Sequence, residues 1–142
     1  MPNILVAVDG SENSDRVVDF LIKRCGWYKE PAQVHLLNVQ LPLVGVNVKM
    51  FISQDTVNEY YRDEGNAALK RARERLDAAG IQYTHHISVG DPAQMIVEFA
   101  QSKGCDHILM GSRGLGAVSG LVLGSVATKV LHLTDLPVML VR

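Results

Sequence analysis

Short apolar runs alternate along this chain with longer stretches of helical spacing. Asn3-Ile-Leu-Val-Ala-Val8 is the first run and Val34-His-Leu-Leu-Asn-Val39 the second. Ile81 to Val89 is a looser, alternating third, His107-Ile-Leu-Met110 the fourth and Val138-Met-Leu-Val141 the fifth. Brief continuous runs of this kind suit strands covered on both faces.

Between the runs the period changes. Asp9-Gly10-Ser11 breaks the first run, and Ser11 or Ser14 can cap a helix carrying Val17, Val18, Leu21, Ile22 and Cys25, ended by Gly26 and Pro31. A long helix is predicted from Thr56 to Ala79, with Tyr60, Ala67, Ala68, Ala72, Leu76 and Ala79 on its inner face. Arg62, Lys70, Arg71, Arg73, Glu74 and Arg75 are mostly its solvated face, and Gly80 its stop. Asp91-Pro92 reads as an N-cap followed by proline at the first helical position, ahead of an apolar stripe of Met95, Ile96, Phe99 and Ala100 that Gly104 closes. Val126 to His132 is the last helix. The connection from Gln40 to Gln54 exceeds the usual length for a strand–helix loop and reads as a lid, a binding loop or a plain excursion.

The order βαβαβαβαβ implies an α/β fold, a parallel sheet with right-handed crossovers and helices on both faces. No internal repeat, low-complexity segment or domain boundary interrupts it, so residues 1–142 are expected to form one domain. Ligands in such sheets bind beyond the C-terminal ends of the strands, where the strand order reverses. If the first and fourth strands flank that crevice, Asp9 and the loop from Gly111 to Ser125 meet in one pocket.

That loop carries the candidate chemistry. Gly111-Ser-Arg-Gly114, nine residues, then Gly124-Ser125 stand between the fourth strand and the last helix. Glycines let the backbone approach an anion closely and adopt positive φ, and the following helix offers unpaired N–H groups at the positive end of its dipole. The loop is not a Walker A motif, having no Gly-Lys-Ser/Thr. It is not a dinucleotide fingerprint either, because Ser119 stands where the third glycine should be and the segment follows the fourth strand. A receiver domain would need an acidic pair after the first strand; only Asp9 and Asp91 offer themselves.

Composition narrows the classes. Of the 142 residues 47% are apolar and 20% charged, with a formal net charge of −1. No Lys/Arg block and few aromatics argue against a nucleic-acid surface. No basic-then-apolar leader and no apolar run near the ~20 residues of a membrane span are present, so a cytoplasmic location without membrane insertion is expected. Cys25 and Cys105 are read as buried or half-buried free thiols in a reducing compartment. His35, His85, His86, His107 and His132 form no ligand pair, and no metal site is expected.

The glycine spacing Gly111-x-x-Gly114-x9-Gly124-Ser125 is similar to the ATP-binding signature of the universal stress protein family. The opening Ile4-Leu-Val-Ala-Val-Asp9-Gly-Ser11 and the ending Leu136-Pro-Val-Met-Leu-Val141 resemble the same family, so the likeness spans the chain. It implies a five-stranded parallel sheet in the order 3-2-1-4-5, with ATP in the crevice between strands one and four. It implies too a homodimer through Val138–Val141, whose position at a sheet edge invites pairing. Carried over, Asp9 contacts the ribose or adenosine side next to Ala7 and Val8, the Val39 backbone reads the adenine, and Met110 and Gly111 line the floor. Gly114, Gly124, Ser125 and Val126 hold the phosphates, and Arg113 can pair with one of them. ADP and AMP remain open beside ATP, as does Mg2+. The expectation is a stress-response or signalling module in which nucleotide sets a conformation or a protein-partner surface. The alternatives are a slow ATPase and a nucleotide-independent interaction protein.

Overall fold

The computed structural model describes residues 1–43, 53–114 and 123–142. Most of the Gln40–Gln54 connection, and Gly116, Ser119 and Gly120, lie outside the described residues. Five strands, β1 (Asn3–Ala7), β2 (Gln33–Gln40), β3 (Tyr83–Val89), β4 (His107–Gly111) and β5 (Val138–Val141), form a parallel sheet in the order β3-β2-β1-β4-β5. Helices α1 (Glu12–Arg24), α2 (Gln54–Ala78), α3 (Pro92–Ser102) and α4 (Ser125–Leu133) cover its two faces, and a 3-10 turn, Cys25–Trp27, follows α1.

The continuous apolar runs are the interior strands. Ile4, Leu5 and Val6 of β1 are fully buried because both faces of the central strand are covered. Strand alternation sorts the core into two layers. Ile4, Val6, Val34, Leu36 and Leu109 pack with Val17, Val18 and Leu21 of α1 and Leu69, Ala72 and Leu76 of α2. Leu5, Leu37, Ile108 and Met110 pack with Ile96, Val97 and Ala100 of α3 and Ala127 and Val130 of α4. β1 pairs with β2 (Ala7 opposite Leu37) and with β4 (Val6 opposite Leu109), so the chain leaves the sheet in opposite directions on either side of β1.

Helix ends follow the capping residues. Ser11 caps α1 by accepting from the Ser14 N–H, Ser53 caps α2 through Thr56 N–H, and Asp91 caps α3 through Gln94 N–H with Pro92 in the first turn. The long helix therefore starts at Gln54, two residues before Thr56.

Two expectations are corrected. The inner face of α2 is Val57, Gly65, Leu69, Ala72 and Leu76, whereas Tyr60, Ala67 and Ala79 are exposed and Ala68 is half-buried. A side chain on Gly65 would run into Ile87 of β3, within 2.6–2.7 Å of three of its carbons, so the glycine lets the helix close on the sheet. The basic face of α2 is mostly solvated, as expected, with Arg73 and Arg75 half-buried. Arg75 Nη1 meets Asp19 Oδ2 at 2.8 Å, and Arg71 Nη1 reaches Asp15 Oδ2 at 3.4 Å, tying α2 to α1. Cys25 is exposed, since α1 ends one residue earlier and the 3-10 turn lifts it out of the apolar stripe; Cys105 is buried, and both thiols are free.

Candidate functional site

The crevice opens where β1 and β4 end side by side. Val8 continues β1 by donating its N–H to the Leu37 carbonyl at 2.9 Å. Its own carbonyl accepts from Asn38 Nδ2 at 2.8 Å. Asn38 is only 2% exposed, and its Oδ1 accepts from Gln40 Nε2. This buried amide fixes the backbone at the point where the chain turns out of the sheet.

Asp9 comes next and is held from several directions. Its N–H donates to Ser14 Oγ at 2.9 Å. Its Oδ1 accepts from the Ser11 N–H at 2.9 Å and from the Ser14 hydroxyl at 2.7 Å. Gly10 takes φ +85°, where a side chain would be strained and would lie 3.2 Å from Ala68 Cα. Arg71 Nη2 donates to the Gly10 carbonyl at 2.6 Å. The first turn of the chain is thus clamped beneath α2.

Across the crevice, β4 ends at Gly111, opposite Val141. The Ser112 N–H donates to the Val141 carbonyl at 2.9 Å, and the Ser112 carbonyl accepts from the Gly124 N–H at 2.6 Å. That bond closes the loop, bringing Gly124 against the turn that precedes it. A Cβ on Gly124 would lie 3.3 Å from Arg113 Cα. A Cβ on Gly111 would come within 2.9 Å of the Arg113 carbonyl and 3.3 Å of Asn13 Cβ, and one on Gly114 would overlap the Asp9 carboxylate. None of these three glycines has positive φ. At these three positions close approach, the other freedom glycine offers, is what excludes a side chain.

Gly124 is the N-cap of α4 and supplies no side-chain cap, so among the described residues no capping side chain meets the first-turn N–H groups beginning at Ser125. Ser125 is exposed, and Val126 and Arg113 are half-buried. Lys129 Nζ on α4 meets Asp91 Oδ2 at 2.9 Å, joining α4 to the start of α3. That ammonium, with the Gln94 N–H, holds the Asp91 carboxyl below its ordinary value. Ala7, Val39 and Val126 all pack against the apolar layer that contains Met110. Apolar walls beside a few convergent polar groups are the usual makeup of a small-ligand site.

The structure thus brings Asp9, Gly111, Gly114 and Gly124 together, with Ser125 and Val126 beginning the helix that opens there. Ala7, Val39 and Met110 stand on the adjoining apolar face. Sequence reading missed Ser14, Asn13, Asn38, Ser112 and Arg71. Asn38 had a signal, a polar residue inside an apolar strand. Ser112 stands between Gly111 and Gly114, where the glycine spacing itself says nothing of the intervening side chain. Nothing local marks Arg71, which reaches the site from another helix.

The family model described as "Universal stress protein family" matches residues 1–142. The chain belongs to the universal stress protein family. Among its relatives, the universal stress protein YxiE of Bacillus subtilis is 30% identical over 146 residues, covering 98% of this chain and 97% of that protein. The solved structure of MJ0577, a universal stress protein of Methanocaldococcus jannaschii, superposes with a TM-score of 0.79 at 26% identity, covering 99% of this chain and 94% of that one. A universal stress protein solved in complex with cAMP gives a TM-score of 0.71 at 26% identity, covering 99% and 97%. The stress-response family, and the strand order it implies, therefore agree with the observed sheet.

Proposed function

We propose that this universal stress protein binds an adenine nucleotide, ATP in the first place, in the crevice between β1 and β4. The observation that carries the reading is the meeting of Gly114 with the Asp9 carboxylate. It leaves no room for a side chain where the two strand ends converge beside an uncapped helix N-terminus. The relative solved with cAMP supports an adenine nucleotide as the ligand class. In this reading Asp9 faces the ribose, the backbone of Val39 reads the base, and Ala7, Val8, Met110 and Gly111 form the floor. Gly114, Gly124, Ser125 and Val126 cradle the phosphates, with Arg113 as their countercharge. Mg2+ enters with ATP.

Nucleotide occupancy acts as a switch in the stress response of a cytoplasmic protein, altering the surface offered to a protein partner. The chain works as a homodimer through the edge strand β5, whose Val138–Val141 pairs, among the described residues, with β4 alone and stays half-exposed. Among the described residues no helix is long and apolar enough to cross a membrane.

The test is to denature protein purified without added nucleotide and identify the released small molecules by mass spectrometry, then titrate ATP, AMP and cAMP into the stripped protein. Released adenine nucleotide, or micromolar binding, is expected. No release and no binding of any of the three would remove the reading.

A further inference from the structure

We infer that the Ser112 hydroxyl is a phosphate-binding group of the cradle, kept without a hydrogen-bond partner until a phosphorylated ligand supplies one. This rests on the nucleotide-binding reading and extends it to a residue outside the glycine spacing. Ser112 is 3% exposed, and its Oγ is, among the described residues, a buried side-chain oxygen with no hydrogen bond. The backbone of the same residue is fully used, its N–H on Val141 and its carbonyl on Gly124. Buried hydroxyls are normally paired, because leaving one unpaired forfeits its hydration with no return. An orphan of this kind costs the free protein stability and asks for a compensating role.

Its location says what the role is. Met110 packs in the layer beneath α4, with Ala127 and Val130. Gly111 faces the other way, toward Asn13 and Val17 of α1. Ser112 follows directly, one residue past the end of β4. Its carbonyl is bonded to the N–H of Gly124, the N-cap of α4, so the residue is tied directly to the start of that helix, whose N-cap supplies no side-chain cap. The orphaned hydroxyl and the uncapped N–H groups are donors that lack the same thing, an anionic oxygen. A phosphoryl oxygen meets that need, since a hydroxyl donates to it with charge assistance. Ser112 is thus a binding residue specific to the phosphate end of the ligand. The stability it sacrifices in the free protein is recovered on binding.

The experiment pairs thermal melts of the stripped protein with calorimetric titration of ATP, AMP and adenosine, for wild type, Ser112→Ala and Ser112→Cys. Ser112→Cys keeps the volume with a weaker donor. The inference expects the free alanine variant to melt at or above the wild-type temperature. ATP and AMP should weaken roughly tenfold or more, adenosine should be unchanged, and the cysteine variant should fall between. A lower melting temperature with wild-type ATP affinity would overturn it, as would an equal loss for adenosine and AMP. Wild-type protein that binds none of the ligands would overturn the nucleotide reading itself, and this inference with it.

Discussion

The two walls of the crevice are built in opposite ways. On the β1 side Asp9 is fastened by Ser11 and Ser14, Asn38 holds the Val8 carbonyl, and Arg71 holds the Gly10 carbonyl. On the β4 side three glycines bring bare backbone together, α4 starts without a side-chain cap, and Ser112 Oγ has no partner. The first wall spends its polar groups on itself and is a fixed surface. The second keeps donors unspent, as the proposed nucleotide site requires. The difference teaches that side chains set the shape on one side, while in the proposed reading main chain meets the ligand on the other.

The sharpest way to break the comparison is to put a side chain on the second wall. Gly114→Val drives a branched group into the Asp9 carboxylate, and ATP affinity should fall at least a hundredfold by calorimetry, ~2.7 kcal/mol or more. Removing the fixed wall's anchor should act on the fold as well as on ribose contact. Asp9→Ala leaves the Ser14 hydroxyl and the Ser11 N–H without their acceptor, and urea unfolding should show a loss of about 1–3 kcal/mol. Away from both walls, Gly65→Ala improves helix propensity yet collides with Ile87. A net loss of about 1 kcal/mol is expected in the same assay, where an isolated helix would gain. Arg71→Ala removes an ion pair between a half-exposed arginine and the less exposed Asp15, and one bond to Gly10, and should cost roughly 1 kcal/mol, with ATP affinity little changed.

Acid sharpens the comparison from the far end of the sheet. Burial holds His35, His86 and His107 below the ordinary histidine value. Lys103 adds to the effect on His35, and His35, Lys103 and His85 add to it on His86, while Asp106 opposes it on His107. His35 is bonded to Asn3 Oδ1 at 2.8 Å and to Thr84 Oγ1 at 3.0 Å, at the opposite end of the strands from the crevice. The unfolded chain takes up these protons near pH ~6.5 and the folded protein only lower. Stability is therefore full above that pH and is lost as the pH falls through the folded-state values. Melts at pH 7.5 and 5.5 should show the drop, and His35→Gln should reduce it.

How far the sequence could be read follows from the same physics. The interior strands were legible because Ile4-Leu5-Val6 and Ile108-Leu109-Met110 have both faces buried and need no polar side. Caps were legible at Ser11 and Asp91, where one side chain satisfies one local N–H. The inner face of α2 was not. Its alanines serve either face equally, and its key inward position is Gly65, selected by Ile87 of a distant strand. The glycine spacing located the cradle, but why glycine stands there was visible only once Asp9 and Gly114 were seen to abut. Long-range partners such as Arg71 to Gly10 leave no local trace.

The measurement that reaches the central claim most directly is calorimetric titration of ATP into nucleotide-stripped wild-type protein and into Gly114→Val, with circular dichroism and melting confirming that both are folded. The account predicts micromolar binding by the wild type and none measurable in the folded variant. Equal affinity in the two, or no binding by folded wild type, would contradict it.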